Sequence, residues 1–205
     1  MTRAHVGKGA CYPRPGANGS ERNHLLNVRE EYLKLGGTFV EYEGPKQLYP
    51  GVWLTGPVER VHAERNWSGS GMLVRPGGEK GEDNLPEDMS LVLDTAKGLV
   101  VISGCGHAGI VNTLEKARRV VRKAGVHAAI GGWHLFAASD EHLAWTGAKM
   151  KEMGVENFVG AHCTGIEAVY ELRRHMGLKR RNCVVGAVGA GFSLREGILA
   201  GVLAR

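Results

Sequence analysis

The stretch Gly98-Leu-Val-Val-Ile-Ser-Gly-Cys-Gly-His107-Ala-Gly-Ile-Val-Asn-Thr-Leu constrains the chain most, because one structural unit and one reactive group share it. Leu99 to Ile102 is a short apolar, β-branched run, the pattern of a buried strand. It ends at Ser103-Gly104-Cys105-Gly106, where glycine permits a tight turn and a close backbone approach above the strand end. His107 stands at that turn. From Ile110 to Lys123 the period becomes helical, with Ile110, Leu114, Ala117 and Val121 on one face. A histidine at a strand-to-helix corner is presented rather than buried.

The unit recurs twice. Val126 to Leu135 is a second apolar strand ending in Gly131-Gly132-Trp133-His134, followed by Ser139 as N-cap with Asp140 and Glu141 in the first turn. The third residue after that cap is His142, so there is no capping box. Glu156 to Gly165 is the third unit, carrying His162-Cys163-Thr164, with Thr164 expected to cap a helix from about Ile166 to Met176. Successive strand-to-helix units build an α/β layer whose sheet ends lie side by side, and ligands bind at that edge. His107, His134 and His162 are therefore expected to converge. Neutral imidazole is a common ligand of zinc and of other divalent metals, which makes a metal ion the object of that convergence; the plainer alternative is that each histidine only closes a turn. Cys105 and Cys163 lie within two residues of a corner histidine. Cys105 is an alternative soft ligand, or else a small side chain packed under its loop.

Nothing in the 205 residues is apolar and long enough to span a bilayer, and no charged-then-apolar leader opens the chain, so one domain of cytoplasmic type is the expectation. The net charge of +5 comes from dispersed cations. Their clusters, Arg118 to Lys123 and Lys179 to Arg181, fall at helix ends, where cations are favoured anyway. That argues against a nucleic-acid surface and suits a small, phosphorylated substrate. The four cysteines are expected to be free thiols. Elsewhere, Met1 to Asn23 reads as irregular loop, and Glu30 to Leu35 as the end of a short amphipathic helix. Thr38 to Glu43 reads as a strand, and Leu48 to Val58 as a broken strand pair. Glu59 to Pro86 reads as a long lid or active-site loop, Met89 to Ile102 as a hairpin, and Asn182 to Leu194 as a last strand.

The ordered motifs Lys97 to Thr113, Gly131-Gly-Trp-His134-Leu and Ala161-His162-Cys-Thr-Gly resemble the metallo-β-lactamase fold superfamily, over nearly the whole chain from about Gly7. Within it they look like the metal-dependent hydrolases often labelled dihydropterin ribofuranosyl-aminobenzene-phosphate synthases. The resemblance implies an αββα sandwich with one or two divalent ions, zinc first, at the edge where the sheets meet. It implies His107 and His162 as metal ligands, and it sets His134, where many members carry a bridging aspartate, as ligand and catalytic residue. It further implies a hydrolase that acts on an ester, phosphoester or related bond of a small molecule through metal-activated water. Arg22, His24, Arg60 and Trp67, on loops, are the candidate substrate contacts. Neither a nucleic-acid nor a membrane partner is implied, and a homo-oligomer is compatible. The superfamily's earlier His-x-His-x-Asp-His motif is absent, since His5, His24 and His62 stand isolated. The expectation is thus an N-terminally incomplete domain, and the rival to an active hydrolase is a non-catalytic remnant with weak or no metal binding.

Overall fold

The alternation of side chains along the strands sorts one sheet into two chemically different faces. In the computed structural model, which describes residues 2–64 and 71–201, the elements run β1 (Arg3–Gly7), α1 (His24–Lys34), β2 (Thr38–Tyr42), β3 (Lys46–Tyr49), β4 (Val52–Leu54), β5 (Met72–Val74), β6 (Lys80–Glu82), β7 (Leu91–Thr95), β8 (Gly98–Ser103), α2 (Ile110–Val120), β9 (Val126–Gly132), α3 (Asp140–Glu152), β10 (Asn157–Ala161), α4 (Ile166–Met176), β11 (Cys183–Val185), β12 (Gly191–Ser193) and β13 (Gly197–Leu199). Seven strands form the main sheet in the order β11-β10-β9-β8-β7-β4-β3. The four strands from β8 to β11 are parallel, and β7, β4 and β3 are added antiparallel.

One row across this sheet, Trp53, Val92, Val101, Ala129, Phe158 and Cys183, is paired strand to strand and faces the helices. It packs with Ile110, Leu114 and Ala117 of α2, Leu143 and Met150 of α3, and Val169, Leu172 and Met176 of α4. Parallel strands joined by right-handed crossovers place their helices on one face, which is why α2, α3 and α4 form a single layer. The neighbouring row, Leu54, Leu91, Ile102, Ile130, Val159 and Val184, points the other way. Four of its members, Leu91, Ile102, Ile130 and Val184, are only half-buried.

Several local expectations are corrected. The first residues are not all loop: β1 pairs in parallel with β2, Arg3 opposite Thr38 through Gly7 opposite Tyr42. Alternation there is masked by Arg3, His5 and Gly7, so the strand is visible only once its partner is known. The side chain of buried Asn23 caps α1 at Leu25 and donates to the carbonyls of Ala10 and Tyr12, which orders the intervening loop. Helix α1 buries none of its residues, so its amphipathic pattern does not serve this core. The stretch expected to be a lid contains the β5–β6 hairpin, pinned by Arg14, which donates to both Asp83 and Glu87. The expected last strand breaks after β11, and its remainder pairs with β13 as a separate hairpin. No described helix is long and apolar enough to cross a membrane.

Candidate metal centre

Parallel register brings the three corners together. Ser103 of β8 lies opposite Gly131 of β9, and Gly132 lies opposite Ala161 of β10, so the turns after these strands emerge side by side. The glycines make the closeness feasible. A Cβ on Gly131 would sit 1.9 Å from the Ser103 carbonyl oxygen, and one on Gly132 would sit 2.2 Å from that of Gly104. Within this space the His107 and His134 rings lie 4.8 Å apart, centroid to centroid. His162 is close enough for its charge to bear on both.

Two of the three histidines are held in the left-handed backbone region, His134 at φ 47° and His162 at φ 51°. Non-glycine residues persist there only where their surroundings over-determine the conformation, and such strain gathers at functional sites. Thr164 is one of the restraints. Contrary to expectation it does not cap α4, whose N-cap is Gly165. Its buried hydroxyl instead accepts from the Trp133 amide at 3.1 Å and donates to the Gly131 carbonyl at 3.2 Å, clasping the His134 and His162 turns.

The electrostatics disfavour the charged form of two of the imidazoles. Burial first, then the neighbouring His134, Arg60 and His162, hold the His107 imidazole down at about 4. Burial and then His162 lower His134. Both ring nitrogens of His134 are buried and find no hydrogen-bond partner among the described residues. An orphaned imidazole wedged against a second imidazole is costly unless something supplies an electron-pair acceptor, so the donor set fits a divalent cation.

A support shell around the His107 turn was not legible in the sequence. The Arg60 guanidinium donates to the His107 carbonyl at 2.9 Å and to the Asn84 carbonyl at 2.5 Å. Asp88, its carboxyl pushed up to about 6 by burial, accepts from the Ala108 amide at 2.7 Å. Glu64 accepts from the Val111 and Asn112 amides at 3.2 and 2.8 Å, serving α2 where its N-cap Gly109 has no side chain. The one clue in the sequence was the helix start itself, since Gly109 at the cap demands an acceptor from elsewhere.

The other expected contacts divide. Arg60 adjoins the site, and its guanidinium donates there to the Asn84 and His107 backbone carbonyls. Arg22 and His24 are exposed, at the end of the N-terminal loop and the start of α1, with no hydrogen bond or ring contact to the three histidines among the described residues. Trp67 lies outside the described residues. Phe136, which the motifs did not single out, is 60% exposed and meets the His134 ring edge-on at 5.2 Å. Cys105 and Cys163 are half-exposed rather than packed under the loops. The Cys105 sulfur lies 3.3 Å from His162 Nδ1, and burial pushes its thiol up to about 11.

No family model matches the chain. Among curated proteins it is 33% identical, over 69% of its own length and 49% of the other's, to 7,8-dihydropterin-6-methyl-4-(beta-D-ribofuranosyl)-aminobenzene-5'-phosphate synthase of Methanocaldococcus jannaschii. It is 29% identical to an uncharacterized protein of the same organism, over 82% of this chain and 60% of that one. The chain thus spans roughly half to three fifths of the curated relatives it matches. Among solved structures, Tm1679, a metal-dependent hydrolase of the beta-lactamase superfamily, superposes with a TM-score of 0.68 at 26% identity, over 86% of this chain and 66% of that one.

Proposed function

Since the chain belongs to the metallo-β-lactamase fold superfamily, we propose that it contributes the His107, His134 and His162 side of a divalent-metal centre that hydrolyses an ester, phosphoester or related bond of a small molecule. The observation that carries this is His134: a strained backbone, both ring nitrogens buried without a partner among the described residues, and a second imidazole 4.8 Å away. A bound divalent ion would lower the pKa of a water molecule and polarise the scissile bond. Zinc is the first choice for a neutral imidazole set.

The chain's own residues supply placement. Thr164 and the Gly131-Gly132 pair fix how closely the His134 and His162 turns approach. Arg60 and Asp88 hold the backbone at His107 and Ala108, so the His107 ring cannot swing away with its loop. Phe136, exposed beside the His134 ring, offers an apolar wall for a substrate carrying an aromatic or other flat group. A phosphorylated substrate is compatible with the chain's net charge of +5.

The test is metal analysis and hydrolysis of phosphoester and ester reporters by the chain and by its His107→Ala, His134→Ala and His162→Ala variants. Turnover is expected to be lost in each variant, and the parent chain is expected to bind more zinc than His107→Ala or His134→Ala. Zinc binding unaffected by all three substitutions would sink the proposal. A second reading is favoured by the absence of His-x-His-x-Asp-His from the sequence: the chain alone holds an ion weakly and has little activity. It is distinguished by zinc that dialyses away from the unsubstituted chain.

A further inference from the structure

A second cluster of donors sits beside the three histidines and shares only His162 with them. The ligand atoms of Cys105, His162 and Cys163 all lie within 4.8 Å of one another. Neither cysteine is in a disulfide. We infer that Cys105, Cys163 and His162 form a soft-donor site for a thiophilic cation of the zinc, cadmium or cuprous class, distinct from the His107–His134 pair.

Geometry is the first support. A tetrahedral ion with bonds of about 2.3 Å to sulfur and about 2.0 Å to nitrogen sets ligand-to-ligand edges of roughly 3.5 to 3.8 Å. The Cys105 Sγ to His162 Nδ1 separation is already 3.3 Å, and the widest separation in the trio is no more than 4.8 Å. No separation in the trio exceeds those edges by more than about 1 Å.

The neighbourhood is the second support, because it holds the two cysteines side by side. The Cys163 thiol points at the Cys105 carbonyl, 3.6 Å away, which ties the loops after β8 and β10 together. A Cβ on Gly132 would approach the Cys163 sulfur to 3.2 Å, so glycine there leaves the thiol its room. All three ligands are accessible, with His162 exposed and both cysteines half-exposed, which gives an ion a path in.

Chemistry is the third. Two thiolates and one imidazole are a donor set for soft cations, whereas the imidazole pair at His107 and His134 discriminates less. On binding, each thiol releases its proton to solvent and gives its sulfur lone pair to the ion. Three protein ligands leave a fourth position open. His162 is the shared member, so its ring can serve one cluster through Nδ1 or the other through Nε2.

The experiment is a titration of the reduced chain with cadmium, followed by the thiolate-to-metal charge-transfer band in the near ultraviolet. The band is expected to saturate at one ion per chain. Cys105→Ser and Cys163→Ser should each weaken binding by more than about tenfold, the double variant should lose the band, and His107→Ala should keep it. Far-ultraviolet circular dichroism of the serine variants verifies that they fold. An unchanged band in the double variant would place the ion on Cys11 or Cys183 and overturn the inference. So would cadmium binding without a band, a band that requires His107, or two thiols that oxidise to a disulfide while the reduced pair takes up no ion. The outcome is separable from the hydrolase proposal: loss of turnover in His107→Ala with the band intact concerns hydrolysis alone, and loss of the band with turnover intact removes only the soft-donor site.

Discussion

At the scale of single residues, the strained histidines set binding against stability. His134 at φ 47° holds a conformation that costs an L-residue roughly 1–2 kcal/mol. Removing the ring in two ways separates strain from ligation. Both His134→Ala and His134→Gly lose the imidazole, but only the alanine keeps a Cβ in the left-handed region. In metal-free protein His134→Gly is therefore expected to be more stable than His134→Ala by about 1 kcal/mol, read from denaturant melts, while both bind zinc equally poorly. Equal stability of the two would mean the turn relaxes out of that region once the ring is gone. Glu64 carries the opposite kind of tension, a carboxyl that serves a helix start yet is shut from water. Burial pushes it up from its ordinary 4.5 to about 7, against the pull of two amide donors. The folded state then holds a proton on Glu64 between those pH values that the unfolded chain does not. Its contribution to stability is fully present below about 4.5 and lost as the pH rises through about 7. Glu64→Gln keeps an acceptor and cannot titrate. The stability of the unsubstituted chain relative to Glu64→Gln should fall by on the order of 3 kcal/mol from pH 4.5 to 7.5. A difference that stays flat across that range, or rises with pH, would show that the amide donors outweigh burial.

At the scale of elements, the centre depends on how closely β8, β9 and β10 end beside one another, and Gly131 is where that closeness is most demanding. Its φ is 126°, and an added Cβ would meet the Ser103 carbonyl oxygen at 1.9 Å, with backbone on both sides of the clash. Gly131→Ala is expected to cost more than about 3 kcal/mol. It should also abolish zinc binding before it abolishes helix content, since α2, α3 and α4 pack elsewhere on the sheet; a melt within error of the unsubstituted chain would disprove the argument. These three units were legible in the sequence because each passes from a short apolar run to a helical period at a glycine-bearing turn, and that change is local. The hairpin between Met89 and Ile102 was legible because two apolar runs flank a short turn that ends in glycine. What escaped was set by partners distant in sequence. Strand β1 is defined by its pairing with β2, the β5–β6 hairpin is pinned from a distance by Arg14 through Asp83 and Glu87, and Thr164 is placed by a Trp133 amide that only the folded sheet brings near. The three corner histidines could be picked out from their spacing, whereas Arg60, Asp88 and Glu64 act on their turns through backbone that no short motif encodes.

At the scale of the whole molecule, the main sheet is a layer with unequal faces. The side toward α2, α3 and α4 is closed: Val92, Val101, Ala129 and Phe158 have no accessible surface. The other side carries Leu54, Leu91, Ile102, Ile130, Val159 and Val184 in one cross-strand row, and Leu91, Ile102, Ile130 and Val184 remain half-buried. A row of apolar side chains crossing six strands is a continuous strip, and strips of this kind on soluble proteins are covered by something. The occupant expected for the chain by itself is a second copy, because the same row on two molecules is self-complementary about a two-fold axis. Sedimentation velocity should then show an average sedimentation coefficient that rises with protein concentration. Ile102→Lys or Ile130→Lys should hold the protein at the monomer value, with circular dichroism unchanged because both side chains point away from the helix-packed core. The histidine corners lie at the ends of β8, β9 and β10, and Ile102 and Ile130 lie within the strands, so zinc affinity of a well-folded lysine variant should stay that of the parent. Concentration-independent sedimentation of the parent chain would show that its own residues already cover the strip, and association that persists in both lysine variants would move the contact to another surface, the edge strands β3 and β11 being next in line.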